Sequence, residues 1–189
     1  MQKYCLKWVL AVNIMYMQIQ FYRPSKSGKG FACSFKDSAQ GDCLFATILK
    51  QSGWDEVTQT GSFKGSLEDK EAKVIIKLND LELAAIIDCI ESNRPFTTYH
   101  QTDNDPFPKT ISFQPWMSKP FNEGEKPQQR GFSFTINITN KENKEYKNSF
   151  FIGLNMPEGR LIKEALLNTL NSHFNKKRED FLNGLNKGV

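Results

Sequence analysis

Twice along the chain an apolar, strand-like run ends at an asparagine and turns directly into a helical pattern: Ile76-Lys77-Leu78-Asn79-Asp80-Leu81-Glu82 and Ile152-Gly153-Leu154-Asn155-Met156-Pro157-Glu158. The two asparagines lie 155 − 79 = 76 residues apart. In each copy Asn can cap the helix by accepting backbone N–H groups. Glu at the third helical position can reach back to the N-cap N–H, so the pair satisfies donors that the first turn leaves unpaired. The register persists into the helices, where Ile86 corresponds to Ile162 and Ile90 to Leu166. The chain therefore reads as two similar units, each a set of strands followed by a helix.

Period-two alternation predicts strands over residues 18–23, 29–36, 43–51 and 74–78. The third of these has a short-helix alternative, which flanking Gly41 and Gly53 disfavour. Residues 53–72, with Trp54, Phe63 and many charges, read as a long exposed loop holding one short extra strand. After Asn79, Leu81, Ala84, Ala85, Ile87 and Ile90 recur at helical spacing up to Asn93, with Pro95 as terminator. Strands at 96–100, 110–114, 132–139 and 149–155 follow, separated by polar loops at 101–108 and 115–129. A second helix runs from Pro157 to about Phe174, with Leu161, Leu166, Leu167 and Leu170 inward. The expected fold is α+β: two four-stranded antiparallel sheets with two helices, a pseudo-duplicated ββββα-ββββα chain. Residues 17–174 form one domain on this reading, preceded by an N-terminal extension at 1–16 and followed by a helical tail at 175–189. That tail carries Lys176, Lys177 and Arg178, then Phe181, Leu182 and Leu185. It either docks on its own fold or serves as an arm for a neighbouring subunit.

With 189 residues the chain can bury a core without metals or disulfides. Its 15 Phe, 5 Tyr and 3 Trp supply much of that core. A net charge of +4 is compatible with a polyanionic partner without demonstrating one. Cys5, Cys33, Cys43 and Cys89 contain no CxxC pair; Cys33 and Cys89 sit in apolar runs that suit buried free thiols and a reducing, cytoplasmic setting. The apolar segment 6–17 lacks a small-residue cleavage site, and no stretch is long enough for a membrane span.

Candidate chemistry for an enzyme is sparse. The two imidazoles, His100 and His173, have no ligand-spaced partner, so no metal or other cofactor is expected. Asp103, Asn104 and Asp105 could hold Mg²⁺ for phosphodiester cleavage, although the same residues before Pro106 compose an ordinary solvated turn. The Ser25–Gly30 stretch lacks the Gly-Lys-Ser/Thr ending of a phosphate loop and leads into a strand rather than a helix. What the strands do offer is rings beside cations: Tyr22 with Arg23, Lys29 and Lys36 around Phe31 and Phe35, Tyr99 with His100, and Arg130 near Phe132 and Phe134. Bases stack on rings while cations follow the phosphates, a combination indifferent to sequence. One face of an antiparallel sheet must be buried, so most strand Phe residues read as core. Tyr22, Tyr99, Lys26 and Lys29 are the better contact candidates.

The arrangement resembles the Whirly family, related to the positive-cofactor-type coactivators and the kinetoplastid guide-RNA-binding proteins. The resemblance spans Ile19 to about Phe174 and rests on the two strand-Asn-helix junctions, with Trp54 ahead of the fourth strand. Lys29-Gly30-Phe31-Ala32-Cys33 matches the family's Lys-Gly-Lys-Ala-Ala run at Lys29, Gly30 and Ala32, while Phe31 replaces its second Lys and adds a stacking ring. The resemblance implies two four-stranded sheets with helices packed behind, a homo-oligomer, in the family a tetramer joined through its helices, and single-stranded DNA bound across the sheets. The expectation is therefore a non-enzymatic single-stranded DNA-binding protein of replication, recombination or repair, contacting its ligand through Tyr22, Arg23, Lys26, Lys29, Phe31, Lys36, Tyr99 and Arg130. RNA as ligand and a nuclease built on Asp103 and Asp105 stand as alternatives. The absence of a transit-type leader suits a microbial or phage protein acting in the host cytoplasm.

Overall fold

Both asparagine caps form as their sequences require. In a computed structural model, which describes residues 18–38, 42–103, 105–118 and 126–186, Asn79 Oδ1 accepts from the Leu81 and Glu82 N–H groups at 3.0 and 3.1 Å, and Glu82 Oε2 accepts from Asn79 N–H at 3.0 Å. The second junction repeats the exchange: Glu158 N–H donates to Asn155 Oδ1 at 2.9 Å and Asn155 N–H to Glu158 Oε2 at 2.8 Å. The expected extension at 1–16 lies outside the described residues.

The elements run β1 (Gln18–Arg23), β2 (Phe31–Asp37), β3 (Leu44–Lys50), β4 (Gly53–Asp55), β5 (Thr60–Ser62), a 3-10 turn (Lys64–Leu67), β6 (Lys73–Leu78), α1 (Asp80–Ser92), β7 (Phe96–His100), β8 (Lys109–Met117), β9 (Gln129–Thr139), β10 (Lys147–Asn155) and α2 (Met156–Asn186). Antiparallel pairing orders the first sheet β1-β2-β3-β6 and the second β10-β9-β8-β7. The two expected four-stranded sheets are thus present, joined by a third, two-stranded ribbon of β4 and β5. That ribbon and the 3-10 turn replace most of the anticipated exposed loop. Asp55 nucleates the ribbon's turn by accepting from the N–H groups of Val57 and Thr58.

Period two decides which side chains meet. Phe21, Cys33, Phe35, Leu44, Ala46, Ile48, Val74, Ile76 and Leu78 form the buried face of the first sheet. On the second sheet Ile111, Phe113, Phe132, Phe134, Ile136, Phe150, Ile152 and Leu154 do the same. The two faces press together in one core, with the Phe35 and Phe134 rings 5.6 Å apart and Phe113 stacked on Phe132 at 5.7 Å. A fully buried Phe contributes roughly 2 to 3 kcal/mol of transfer free energy. Both helices cover the second sheet, α1 on β7 and β8, α2 on β9 and β10, and they also pack on each other.

Three sequence expectations are corrected. Strand β8 continues through Pro115 to Met117, because β7 begins only opposite Phe113 and leaves the β7 side of Pro115 unpaired. The inward α1 positions are Leu83, Ile86, Ile87 and Cys89, whereas Leu81 and Leu161 face solvent. Helix α2 does not stop near Phe174; it runs on to Asn186, tied to the start of α1 by Lys177 and Asp80, while Phe174, Phe181, Leu182 and Leu185 are exposed. Cys33, Cys43 and Cys89 are buried free thiols, and burial raises the Cys89 thiol to about 11 and the Cys33 thiol further.

Candidate nucleic-acid interface

Because inner faces are consumed by the core, only the outward residues of each strand are free to meet a ligand. On the first sheet these are Gln20 and Tyr22, Ser34 and Lys36, Phe45, Thr47 and Leu49, and Lys73, Ile75 and Lys77, a mixture of rings, aliphatics, hydroxyls and ammonium groups. Tyr22 is 53% exposed and Phe45 and Ile75 are open to solvent. Lys77 is partly countered by Asp42 at 3.2 Å, and hydrogen bonds from Ser38 and Lys77 hold that carboxyl well below its usual range.

The outward face of the second sheet is a ladder of small polar groups, including the Thr97–Ser112 and Ser149–Asn137 bonds at 3.1 and 2.7 Å. Tyr99, 58% exposed, stands on its edge strand, and Trp116 and Phe151 meet edge to face 6.2 Å apart. Trp116 lies against Gly153, where a Cβ would approach its ring to 2.7 Å, so the missing side chain makes room for the indole.

The expected contact residues divide by strand parity. Tyr22, Lys36 and Tyr99 lie on outward faces, and Lys26 and Lys29 are exposed in the β1–β2 turn, where Lys26 pairs with Glu56 at 3.2 Å. Arg130 is exposed and is the extra residue of a β-bulge, since Trp116 opposes Gly131 while Met117 opposes Gln129. Arg23 and Phe31 are partly buried on the other side of the sheet. Opposite each other on the inner side, Phe31 packs on the core, and Arg23 donates to Gly153 O at 3.1 Å and pairs with Glu158. Parity with Phe21 and Phe35 already carried that signal. Sequence reading missed Phe63 and Leu67, which reach the first sheet from the ribbon connection, and Trp116 and Phe151.

The candidate carboxylates do not assemble a cage. Asp105 accepts from Lys109 Nζ at 2.8 Å and from Phe107 N–H at 2.9 Å, and the lysine lowers its pKa. Among the described residues no three His, Cys, Asp or Glu side chains gather as metal ligands, and no helix is long and apolar enough to cross a membrane. His100 instead meets Glu82 at 2.6 Å, and buried His173 meets Asp80 at 2.7 Å.

Two four-stranded sheets back to back, with ring-bearing outer faces and capped helices behind, define a Whirly-type α+β fold. No protein-family model and no curated protein matches the chain. Solved structures do. WHY3 from Arabidopsis thaliana superposes with a TM-score of 0.56 at 15% identity over 90% of this chain and 95% of that one. The plant transcriptional regulator PBF-2 follows at 0.54, 12% identity, and 87% and 85% coverage. A guide-RNA-binding protein complex bound to its gRNA gives 0.50 at 13% identity, covering 86% and 92%. The resemblance read from the two junctions is therefore borne out as a shared fold.

Proposed function

We propose that this chain is a non-enzymatic protein that binds single-stranded DNA, acting in replication, recombination or repair, in a cytoplasmic setting. The observation that supports this most directly is the composition of the first sheet's outer face, where Tyr22 and Phe45 stand among Lys36, Lys73 and Lys77. Ammonium groups release counterions from phosphates while bases stack on the rings, and neither interaction depends on base order. The fold shared with a complex that carries gRNA keeps RNA as the second reading. Fluorescence polarisation with equal-length single-stranded DNA, RNA and duplex at several salt concentrations tests both. The expected order is single-stranded DNA first and duplex last, with each lysine that neutralises a phosphate adding about 0.7 to the slope of log K against log salt. Duplex binding more tightly than single strands would overturn the reading.

The same proposal includes a homo-oligomer, a tetramer joined through helices. Its support is the apolar stripe of Phe174, Phe181 and Leu185 on the second half of α2, where Phe181 is 67% exposed. Light scattering should give a multiple of the 21.7 kDa chain mass, reduced by Phe181→Lys.

A further inference from the structure

The first sheet's outer face is not a flat platform. The connection from β3 to β6 folds back over it, and between that connection and the strands lies a cavity of about 280 Å³. Tyr22, Phe63 and Leu67 wall the cavity and Gln20, Ser34, Thr47 and Lys64 contribute its polar groups. The Tyr22 and Phe63 rings meet at 58° with centroids 5.9 Å apart, too close for a sandwich but open as a corner. An apolar cleft near the small end of ligand-pocket sizes, with a few convergent polar groups, suits one small planar group.

The wall is fixed rather than draped. Gln51 is buried beneath it, accepting from Ser25 N–H at 2.8 Å and donating to Gly53 O at 2.7 Å, which ties the β1–β2 turn to the ribbon. Gly30 and Gly61 leave the space for this amide, since a Cβ on either would approach it to 2.2 and 3.0 Å. Mere stacking on strand rings requires none of this construction.

We infer that the cavity reads one base of the bound strand and favours thymine or uracil, an inference that rests on the single-strand reading above. The base lies against the Tyr22 ring and abuts Phe63. The Tyr22 hydroxyl donates to Gln20 Oε1 at 2.7 Å, which turns the amide so that its N–H groups are presented as donors. Hydroxyls of Ser34 and Thr47 add two further donors. Thymine and uracil carry two ring carbonyls that accept such bonds, whereas adenine accepts only through ring nitrogens and sets its 6-amino donor against the amide N–H groups. A site built to donate penalises a base that leaves its donors unpaired.

The test uses the full chain and fluorescence polarisation with dT, dC and dA oligonucleotides of equal length at one low salt concentration. The expected result is dT tighter than dA by fivefold or more. Gln20→Met should bring dT down to the dA level while changing dA less than twofold. Phe63→Ala and Tyr22→Ala should each weaken dT about tenfold, the scale of one lost base–ring stack. Thermal melts of each variant check folding, and Gln20 and Phe63 both lie outside the main core. A preference for dT that persists in Gln20→Met would come from strand flexibility alone and would overturn the inference, as would equal binding of dT and dA by the wild type. In both cases the single-strand reading stands; if no single strand binds, both fall.

Discussion

The end of β1 and the end of β7 perform one task with different groups. Each edge strand closes on a tyrosine and a base: Tyr22-Arg23 in the first half, Tyr99-His100 in the second. Each tyrosine points outward and bonds a glutamine two residues away, Gln20 at 2.7 Å and Gln101 at 2.8 Å. Each base turns inward and takes the capping glutamate of the other half, Arg23 reaching Glu158 and His100 reaching Glu82. The halves are therefore stapled by a reciprocal exchange in which each first strand holds the other's helix start. The staples differ in reach, because the guanidinium also donates to Gly153 O at 3.1 Å and Tyr22 O at 2.9 Å, whereas the imidazole is given one acceptor. A repeated scaffold can thus hold the same geometry with staples of unequal strength.

Backbone constraints should produce the largest contrast between the halves. Gly131 sits at φ +156°, and a Cβ there would lie 1.9 Å from Leu154 O, inside the β9–β10 ladder. Gly131→Ala is expected to cost about 3 kcal/mol or more by strand displacement. Gly28, at φ +73° in the open β1–β2 turn, has nothing within 4 Å, so Gly28→Ala carries only the left-handed penalty of about 1 kcal/mol. Chemical denaturation with both variants measures the gap. Equal losses would mean that the second sheet tolerates a shift at its bulge.

The staples come next. Glu158→Ala should cost about 3 kcal/mol and Glu82→Ala about 2 kcal/mol, since each removes a cap bond and orphans a base. The first should be larger because the guanidinium it abandons is a permanent cation that stays held at Gly153 O and Tyr22 O. Double-mutant cycles with Arg23→Ala and His100→Ala isolate the pair terms. A His100–Glu82 coupling equal to that of Arg23–Glu158 at neutral pH would break the contrast.

What the sequence made legible was local. The capping boxes depend on four consecutive residues each, and the strand faces on simple alternation, so both could be read directly. Alternation also places Arg23 with Phe21 and Phe31 with Phe35, which is why an inward Arg23 and Phe31 were readable against a simple pairing of rings with neighbouring cations. The pocket was not readable, because Phe63 reaches Tyr22 across 41 residues of chain through a Gln51 latch with no local signature. Trp116 was hidden behind Pro115, a strand breaker only where both sides of the strand are paired.

Acid should separate the helix starts. Burial works against the charge on Asp80, yet hydrogen bonds from Lys177 and His173 outweigh it and hold its pKa below the ordinary value. A depressed carboxyl contributes stability above its unfolded pKa, about 3.9, and loses that contribution as pH falls through the folded value. The melting-temperature difference between wild type and Asp80→Asn should therefore be level near neutrality and shrink below about pH 4. Asp80 begins α1, and the matching first residue of α2 is Met156, which has no charge to lose. A difference that persists undiminished at pH 3 would show that Asp80 acts through packing rather than charge.

The smallest expected effects compare the two outer faces. Lys36→Ala and Arg130→Ala alter exposed side chains, so neither should change stability by more than about 0.5 kcal/mol. If both faces follow the phosphates of one strand, each substitution should lower the salt slope of single-strand binding by about 0.7. Lys26→Ala should lower it less, because Glu56 at 3.2 Å already offsets that ammonium. A slope unchanged by Arg130→Ala but reduced by Lys36→Ala would confine the ligand to the first sheet, the face that carries the pocket, and would leave the second sheet as the support on which both helices pack.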